Sequence, residues 1–214
     1  MWIKFTRKLL AVLQILGVSK PESVKRFQET QSWAHRRYAP PSPNFVKRSV
    51  IIRNGLKNST WIETGTYLGG TTKILGKHGR HVISIEPDIL LFKRAQKRLK
   101  SMENITLLNG LSEDVLPAIL SELEGNVCFW LDGHFSSGIT FNGPRETPIL
   151  DELSSIEKNL AHFDQVVILV DDVRLFESSS SQSDYPSLDV LVDWARSNNL
   201  QWRIEHDIFV FTNF

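Results

Sequence analysis

After residue 58 the sequence alternates between short apolar runs and longer amphipathic stretches. That alternation constrains the fold more than any other feature of the chain. The apolar runs are 60–64 (TWIET), 82–86 (VISIE), 105–108 (ITLL), 127–131 (VCFWL) and 166–171 (VVILVD), with helical stretches between them at 69–78, 88–101, 112–123 and 146–161. Strands that alternate with helices pair in parallel through right-handed crossovers. Runs that are apolar throughout belong to a sheet covered on both faces. The ending breaks the rhythm: a helix at 186–198 opens with Pro186, and QWRIEHD and IFVFTNF then follow almost without a gap. Two strands joined so closely are antiparallel. The expected fold is α/β, a Rossmann-like doubly wound sheet of seven strands, mostly parallel, with a C-terminal antiparallel hairpin and an N-terminal helical arm.

A net charge of +1 conceals an uneven distribution. Residues 1–60 carry 12 Lys and Arg against Glu22 and Glu29, a net +10, whereas residues 61–214 carry 13 against 22 acids, a net −9. Pro40-Pro41-Ser42-Pro43 is a stiff break between the two. The expected organisation is therefore a basic helical arm over 1–45 and a single domain over 46–214. The arm suits an anionic partner, a lipid surface, a polyanion or nucleic acid, or lies as a solvated helix pair on the acidic body. In MWIKFTRKLLAVLQILGVSK the apolar run 9–18 is too short to span a bilayer. It reads as a helix packed on the body, as an amphipathic helix peripheral to a membrane, or as a cleaved signal peptide. The expected location is cytoplasmic, with peripheral membrane contact through this helix as an option. Cys128 is the only cysteine and lies in an apolar run, so it reads as core, and no disulfide or cysteine-based zinc site can form within the chain.

The loop after the first strand reads WIETGTYLGGTT. In an open parallel sheet, ligands bind beyond the carboxyl ends of the strands. Gly65, Gly69 and Gly70 give bare backbone there, but the spacing is not the G-x-G-x-x-G of a dinucleotide site, and the Gly-Lys-Ser/Thr of a phosphate loop is missing. Glu63 beside the loop disfavours phosphate and suits a cation. S-adenosylmethionine (SAM) carries an amino group and a sulfonium and no phosphate, and so meets both conditions. Glu86 ends the second strand 21 residues after Gly65, where a carboxylate can accept both ribose hydroxyls.

Glu63-Thr64-Gly65, Gly69 and Thr71 resemble the E-x-G-x-x-x-G-x-S/T loop of catechol-type O-methyltransferases, within the class I SAM-dependent methyltransferases. Ile85-Glu86 matches that family's ribose acid. The segment 109–117, NGLSEDVLP, is similar to its G-x-S-x-D segment, which sets Ser112 and Glu113 at the adenine edge. The resemblance implies that Glu63, Gly65, Thr66, Tyr67, Gly69, Thr71, Glu86, Ser112, Glu113 and Asp132 bind SAM. The wording FWLDGHFSSG, TPILDEL and VILVDDVRLF also resembles methyltransferases found with glycan-biosynthesis functions and macrocin-type, metal-dependent sugar O-methyltransferases.

Asp132 ends the fourth strand, and Asp171 and Asp172 end the fifth. Crowded carboxylates are costly, and a hard divalent cation, Mg²⁺ or Ca²⁺, would offset their repulsion. In the metal-dependent families resembled, acids at these three positions hold the ion. The alternative is that Arg174 or Arg145 pairs these acids, or that they cap helices. A catechol-type enzyme has a lysine three residues after the first Asp; here that position is Phe135. His134 is the natural replacement base, since its ordinary pKa suits proton transfer at neutral pH, and with Asp132 it forms the expected catalytic pair. Residues 135–147 read as a loop able to move over the substrate, and 178–183 as a loop that shapes an acceptor pocket or serves as a plain linker.

The function expected from these features is a SAM-dependent, metal-assisted O-methyltransferase acting on a small-molecule or glycan hydroxyl. With no zinc motif and no aromatic-basic ribonucleoprotein signature, nucleic acid ranks low as a partner. The competing readings are a nucleotide-binding oxidoreductase on a similar sheet and a non-catalytic SAM-fold scaffold or membrane protein.

Overall fold

Successive side chains of a strand point to opposite faces of its sheet, and here both faces demand apolar residues. In the fourth run, Phe129 and Leu131 join one buried cluster while Cys128 and Trp130 join the other. Ile62 and Trp61 of the first run divide in the same way. Two layers of core therefore sandwich the sheet. Each fully buried large side chain is worth about 1.5–3 kcal/mol in area removed from water.

The computed structural model describes residues 22–133, 147–176 and 185–214. The chain divides into a first unit ending at Val46 and a second running from Lys47 to Phe214. In the first unit α1 (Glu22–His35) buries no residue, and its neighbourhood exposes Lys25, Arg26, Arg36 and Arg37. Helix α2 (Asn44–Asn54) begins at the end of this unit and continues into the next.

The second unit runs β1 (Thr60–Thr64), α3 (Gly70–His78), β2 (His81–Glu86), α4 (Ile89–Leu99), β3 (Ile105–Asn109), α5 (Ser112–Leu120), β4 (Gly125–Leu131), α6 (Ile149–Glu157), β5 (Phe163–Val170), α7 (Leu188–Ser197), β6 (Gln201–Glu205) and β7 (Ile208–Thr212). The seven strands lie in the order β3-β2-β1-β4-β5-β7-β6. The first five pair in parallel, whereas β7 is antiparallel to both β5 and β6. This is the mostly parallel sheet with a closing antiparallel hairpin that the sequence pattern implies. The hairpin turn is His206-Asp207, both at positive φ (48° and 71°), as a two-residue turn matching the sheet's twist requires.

Between β1 and β4 the chain order of the sheet reverses. From β1 the chain winds outward to β2 and β3, then returns to β4 on β1's other side. In open sheets of this kind, such a reversal is where ligands bind, beyond the carboxyl ends of the strands. Local chemistry sharpens the neighbouring turns. Pro87 follows the last residue of β2, and Asp88 caps α4, its Oδ1 accepting from the backbone N–H of Leu90 and Leu91 at 2.8 Å each.

Candidate active site

The β1 loop is pinned on both sides. Gly65 and Thr66 donate their N–H groups to Ile85 O on β2, at 3.0 and 3.1 Å, and Asp132 donates to Thr64 O at 3.2 Å. Gly65 has φ +84°, and a Cβ there would lie 2.5 Å from the carbonyl oxygen of Asp132. Only glycine fits both the left-handed backbone and that close approach. The loop therefore lies against the end of β4 as well as above β1.

Beneath it lies a closed network of hydroxyls around Glu63. Thr72 Oγ1 and Ser84 Oγ donate to Glu63 Oε2 at 2.5 and 2.6 Å, and Thr66 Oγ1 bonds Ser84 Oγ at 2.6 Å. Glu63 is fully buried and its Oε1 has no hydrogen-bond partner. Burial pushes its carboxyl up to about 8, against the pull of the Ser84 and Thr72 hydroxyls. At neutral pH it is therefore mostly protonated. The sequence reading made Glu63 a charge facing the ligand; its position is instead under the loop, holding Thr72 of α3 and Ser84 of β2 together.

Glu86 is placed differently. Its Oε2 accepts the Tyr67 N–H at 2.6 Å and its Oε1 the Asp88 N–H at 3.0 Å. Burial raises its pKa, while these two amides, with Asp88's first, pull it back. Each oxygen keeps a further lone pair for a ligand hydroxyl. Tyr67 holds φ +50°, an uncommon backbone for an aromatic residue, and its exposed ring stands at the loop's crest. Gly69, also at positive φ, precedes α3, and Thr71 is on that helix's first turn.

Asp171 and Asp172 stand at the end of β5, as expected, but their charges are already met. Lys47 Nζ on α2 donates to Asp171 Oδ2 at 2.7 Å and to Asp172 Oδ1 at 2.6 Å. Arg174 Nη1 reaches Asp172 Oδ1 at 2.5 Å and also pairs with Asp207 of the hairpin turn. The remaining Asp171 oxygen accepts the Asp172 N–H at 2.8 Å. The donor set proposed for Mg²⁺ or Ca²⁺, Asp132 with Asp171 and Asp172, therefore does not fit a metal: two cations hold the aspartate pair. Among the described residues no three His, Cys, Asp or Glu side chains form a metal-holding group. The ion-pair alternative raised on the sequence holds for Arg174; Lys47 was not foreseen. His134 and Arg145 lie outside the described residues, as do residues 135–146 and 178–183 and the apolar run at 9–18.

Two further residues escaped the sequence reading. Glu152 on α6 is 1% exposed, and its Oε1 has no partner. Burial raises its carboxyl to about 7, against the pull of the nearby Ser112 and Thr64 hydroxyls. Ser112, expected at an adenine edge, thus opens α5 close to Glu152, with Glu113 beside it. A signal existed for both missed residues. Ile149, Glu152, Leu153 and Ile156 share one buried helical face, and Lys47 shares the face of Val50 and Ile51. A charge inside an apolar stripe is a buried charge.

No protein-family model matches the chain. Among solved structures, the chain superposes on SMU.1697c of Streptococcus mutans, solved in complex with SAH, with a TM-score of 0.51 at 15% identity, covering 81% of this chain and 98% of that one. N-methyltransferase NodS of Bradyrhizobium japonicum matches with a TM-score of 0.52 at 12% identity, over 78% of this chain and 92% of the other. The 23S rRNA methyltransferase ErmE gives 0.50 at 13% identity, over 81% and 68%.

This chain has the class I SAM-dependent methyltransferase fold.

Two curated relatives share that fold's sequence pattern more closely. The ribosomal RNA small subunit methyltransferase A of Pediococcus pentosaceus is 26% identical over 172 residues, 78% of this chain and 55% of the relative. Its counterpart in Macrococcus caseolyticus is 30% identical over 161 residues, 71% and 51%. The chain thus spans about half the length of the curated relatives it matches. Their names overturn the partner assignment made on the sequence, which ranked nucleic acid low beside a small-molecule or glycan hydroxyl. Lack of a zinc or ribonucleoprotein motif was weak ground, because cationic surface alone gives substantial affinity for a phosphate backbone. Catechol-type and macrocin-type enzymes are not among these relatives. No helix among the described residues is long and apolar enough to cross a membrane.

Proposed function

We propose that this protein binds SAM at the carboxyl ends of β1, β2 and β4 and transfers its methyl group to an acceptor. The observation that carries the reading is the Glu86 carboxylate. Two backbone amides, one from the β1 loop, hold it at the end of β2 with lone pairs left for the ribose hydroxyls. Gly65, Thr66, Tyr67, Gly69 and Thr71 supply the loop over which the donor lies. Glu63 braces that loop from below through Thr72 and Ser84. Asp132 borders the methyl end, because its carbonyl lies against Gly65.

RNA is the acceptor class we put first. Both curated relatives are named for ribosomal RNA, and residues 1–60 carry a net +10. A second reading is O-methylation of a hydroxylated acceptor. It is favoured by Glu152, which belongs to the TPILDEL segment that resembles sugar methyltransferases and lies near the end of β4. No step runs through a metal ion, since Lys47 and Arg174 hold the acids that would bind one.

Tritium transfer from methyl-labelled SAM to a small-subunit ribosomal RNA transcript, and in parallel to a panel of methyl glycosides, tests the reading. Incorporation into RNA supports the first acceptor class and incorporation into the glycosides the second. Absence of SAM binding would refute the function itself.

A further inference from the structure

Next to the donor loop, buried oxygen atoms surround a space that the described residues leave unfilled. Thr64 Oγ1 ends β1, and Glu152 Oε1 reaches in from α6; both are buried and neither has a well-formed hydrogen bond, although the Thr64 hydroxyl lies near enough to pull on the Glu152 carboxyl. They face the same spot, since a Cβ built on Gly133 would lie 3.1 Å from the first and 3.2 Å from the second. The missing side chain of Gly133 leaves the cradle open. A cavity of about 10 Å³ adjoins it, lined by Gly133, Thr147, Glu152, Asp171, Phe176 and Tyr185 among others. That is room for one water-sized group. A buried polar atom left without a partner costs about 1–3 kcal/mol; the Thr64 hydroxyl can turn its own proton toward the carboxyl, which leaves its lone pairs and part of the Glu152 carboxylate for a donor from outside.

We propose that this cradle receives the reacting N–H or O–H group of the methyl acceptor, with Glu152 as the group that takes its proton. The inference rests on the SAM-dependent methyl transfer set out above and adds the acceptor side of that site. Three features place it there. Thr64 directly precedes Gly65 of the donor loop, Gly133 directly follows Asp132, whose carbonyl abuts that loop, and the cavity is at the shared carboxyl edge of β4 and β5. In the step, the acceptor's lone pair forms a bond to the methyl carbon as the carbon–sulfur bond breaks. The sulfonium sulfur keeps that electron pair and becomes a thioether. The proton of the N–H or O–H moves to the Glu152 carboxylate, leaving a neutral carboxylic acid and a methylated acceptor. Charge balances, because one positive and one negative group are lost together. The raised pKa of the Glu152 carboxyl suits a base that must hold a proton near neutral pH.

The test compares wild type with Glu152→Gln and Gly133→Ala, the second filling the cradle while the acid stays in place. Calorimetry with S-adenosylhomocysteine (SAH) reports the donor site. Tritium transfer from SAM to the ribosomal RNA transcript reports the reaction, and a crystal structure of the SAH complex reports the cradle. Both variants are expected to bind SAH within about threefold of wild type, while kcat falls by roughly 10²–10⁴ with KM little changed. The crystal should show the cradle open toward the SAH sulfur, with a water on Glu152 Oε1. Glu152→Gln keeping most of the wild-type kcat would overturn the proposal. So would a tenfold or larger loss of SAH affinity, or SAH's own amino-acid end filling the cradle. Wild type failing to bind SAH would instead refute the function on which the inference rests. Should wild type bind SAH and leave this RNA unmethylated, the crystal decides: a cradle open toward the SAH sulfur supports the proposal, and one filled by SAH's amino-acid end overturns it.

Discussion

Lys47 Nζ lies 2.7 Å from Asp171 Oδ2, a contact between residues 124 apart in sequence that joins α2 to the end of β5. The Asp171 side chain is 4% exposed and that of Lys47 13%, so neither charge can fall back on water. The ammonium gives the aspartate pair the compensation that a divalent ion would otherwise supply. It also turns a helix next to the basic segment into part of the acidic edge of the sheet.

Burial already pushes the Asp171 carboxyl up to about 8 against the pull of Lys47, so in Lys47→Ala the acid takes up a proton, and the lost hydrogen bonds are expected to destabilise the protein by about 1–3 kcal/mol. The double variant Lys47→Met, Asp171→Asn should recover most of that loss. Urea denaturation of the singles and the double gives the coupling directly. Singles that add without coupling would show that the pair does not act as a unit.

With those acids held by Lys47 and Arg174, millimolar MgCl₂ is expected to leave the melting temperature unchanged. A ligand that bound the folded state at this site would raise it. Differential scanning fluorimetry with and without EDTA makes the comparison, and a magnesium-dependent rise abolished by Asp171→Asn would restore the metal assignment.

Gly65→Ala meets two obstacles, a φ of +84° and the Asp132 carbonyl 2.5 Å from the new methyl. The backbone conformation alone costs about 1–3 kcal/mol, and the loop must also move off β4. We expect a lower melting temperature together with lost SAH binding. A variant that binds SAH like wild type would remove Gly65 from the donor site.

The part of the stability that rests on Glu63 and Glu152 should fall as pH rises. Burial lifts Glu63 from 4.5 to about 8 and Glu152 from 4.5 to about 7. Between the two values of each group the folded protein holds a proton that the unfolded chain has released. The stability that these two protonated acids contribute is thus fully present below pH 4.5 and is lost as pH climbs through about 7 and 8. Glu63→Gln mimics the protonated acid, so its advantage over wild type should grow from mildly acidic to mildly alkaline pH. An advantage independent of pH would show that Glu63 is ionised in the folded state.

The fold was readable because the strands are apolar on both faces and the last two abut. Ile62 and Trp61, or Phe129 and Cys128, read as adjacent strand residues of a covered sheet, and the near-absence of a gap between the last two runs left room only for a tight turn, which the structure places at His206-Asp207. The acids Glu63, Glu86, Asp132, Asp171 and Asp172 were legible as strand-end residues for the same reason. Their roles were less so, because a carboxylate's charge depends on neighbours distant in sequence. Thr72 and Ser84 make Glu63 a brace, and Lys47 and Arg174 make Asp171 and Asp172 an ion-pair centre. Glu152 and Lys47 were hidden by reading helices only for their apolar residues. The stripes Ile149-Leu153-Ile156 and Val50-Ile51 each include a charge that must be buried with them.

The central claim is that the crevice held open by Gly65 and closed at the ribose end by Glu86 binds the methyl donor. Calorimetric titration of SAH into wild type and Glu86→Ala tests it most directly. A charge-assisted hydrogen bond is worth about 1.5–3 kcal/mol, so the account predicts one SAH per chain in wild type and affinity about 10- to 100-fold weaker in the variant. Equal affinity in both proteins, or no SAH heat in wild type where NAD binds instead, would contradict it.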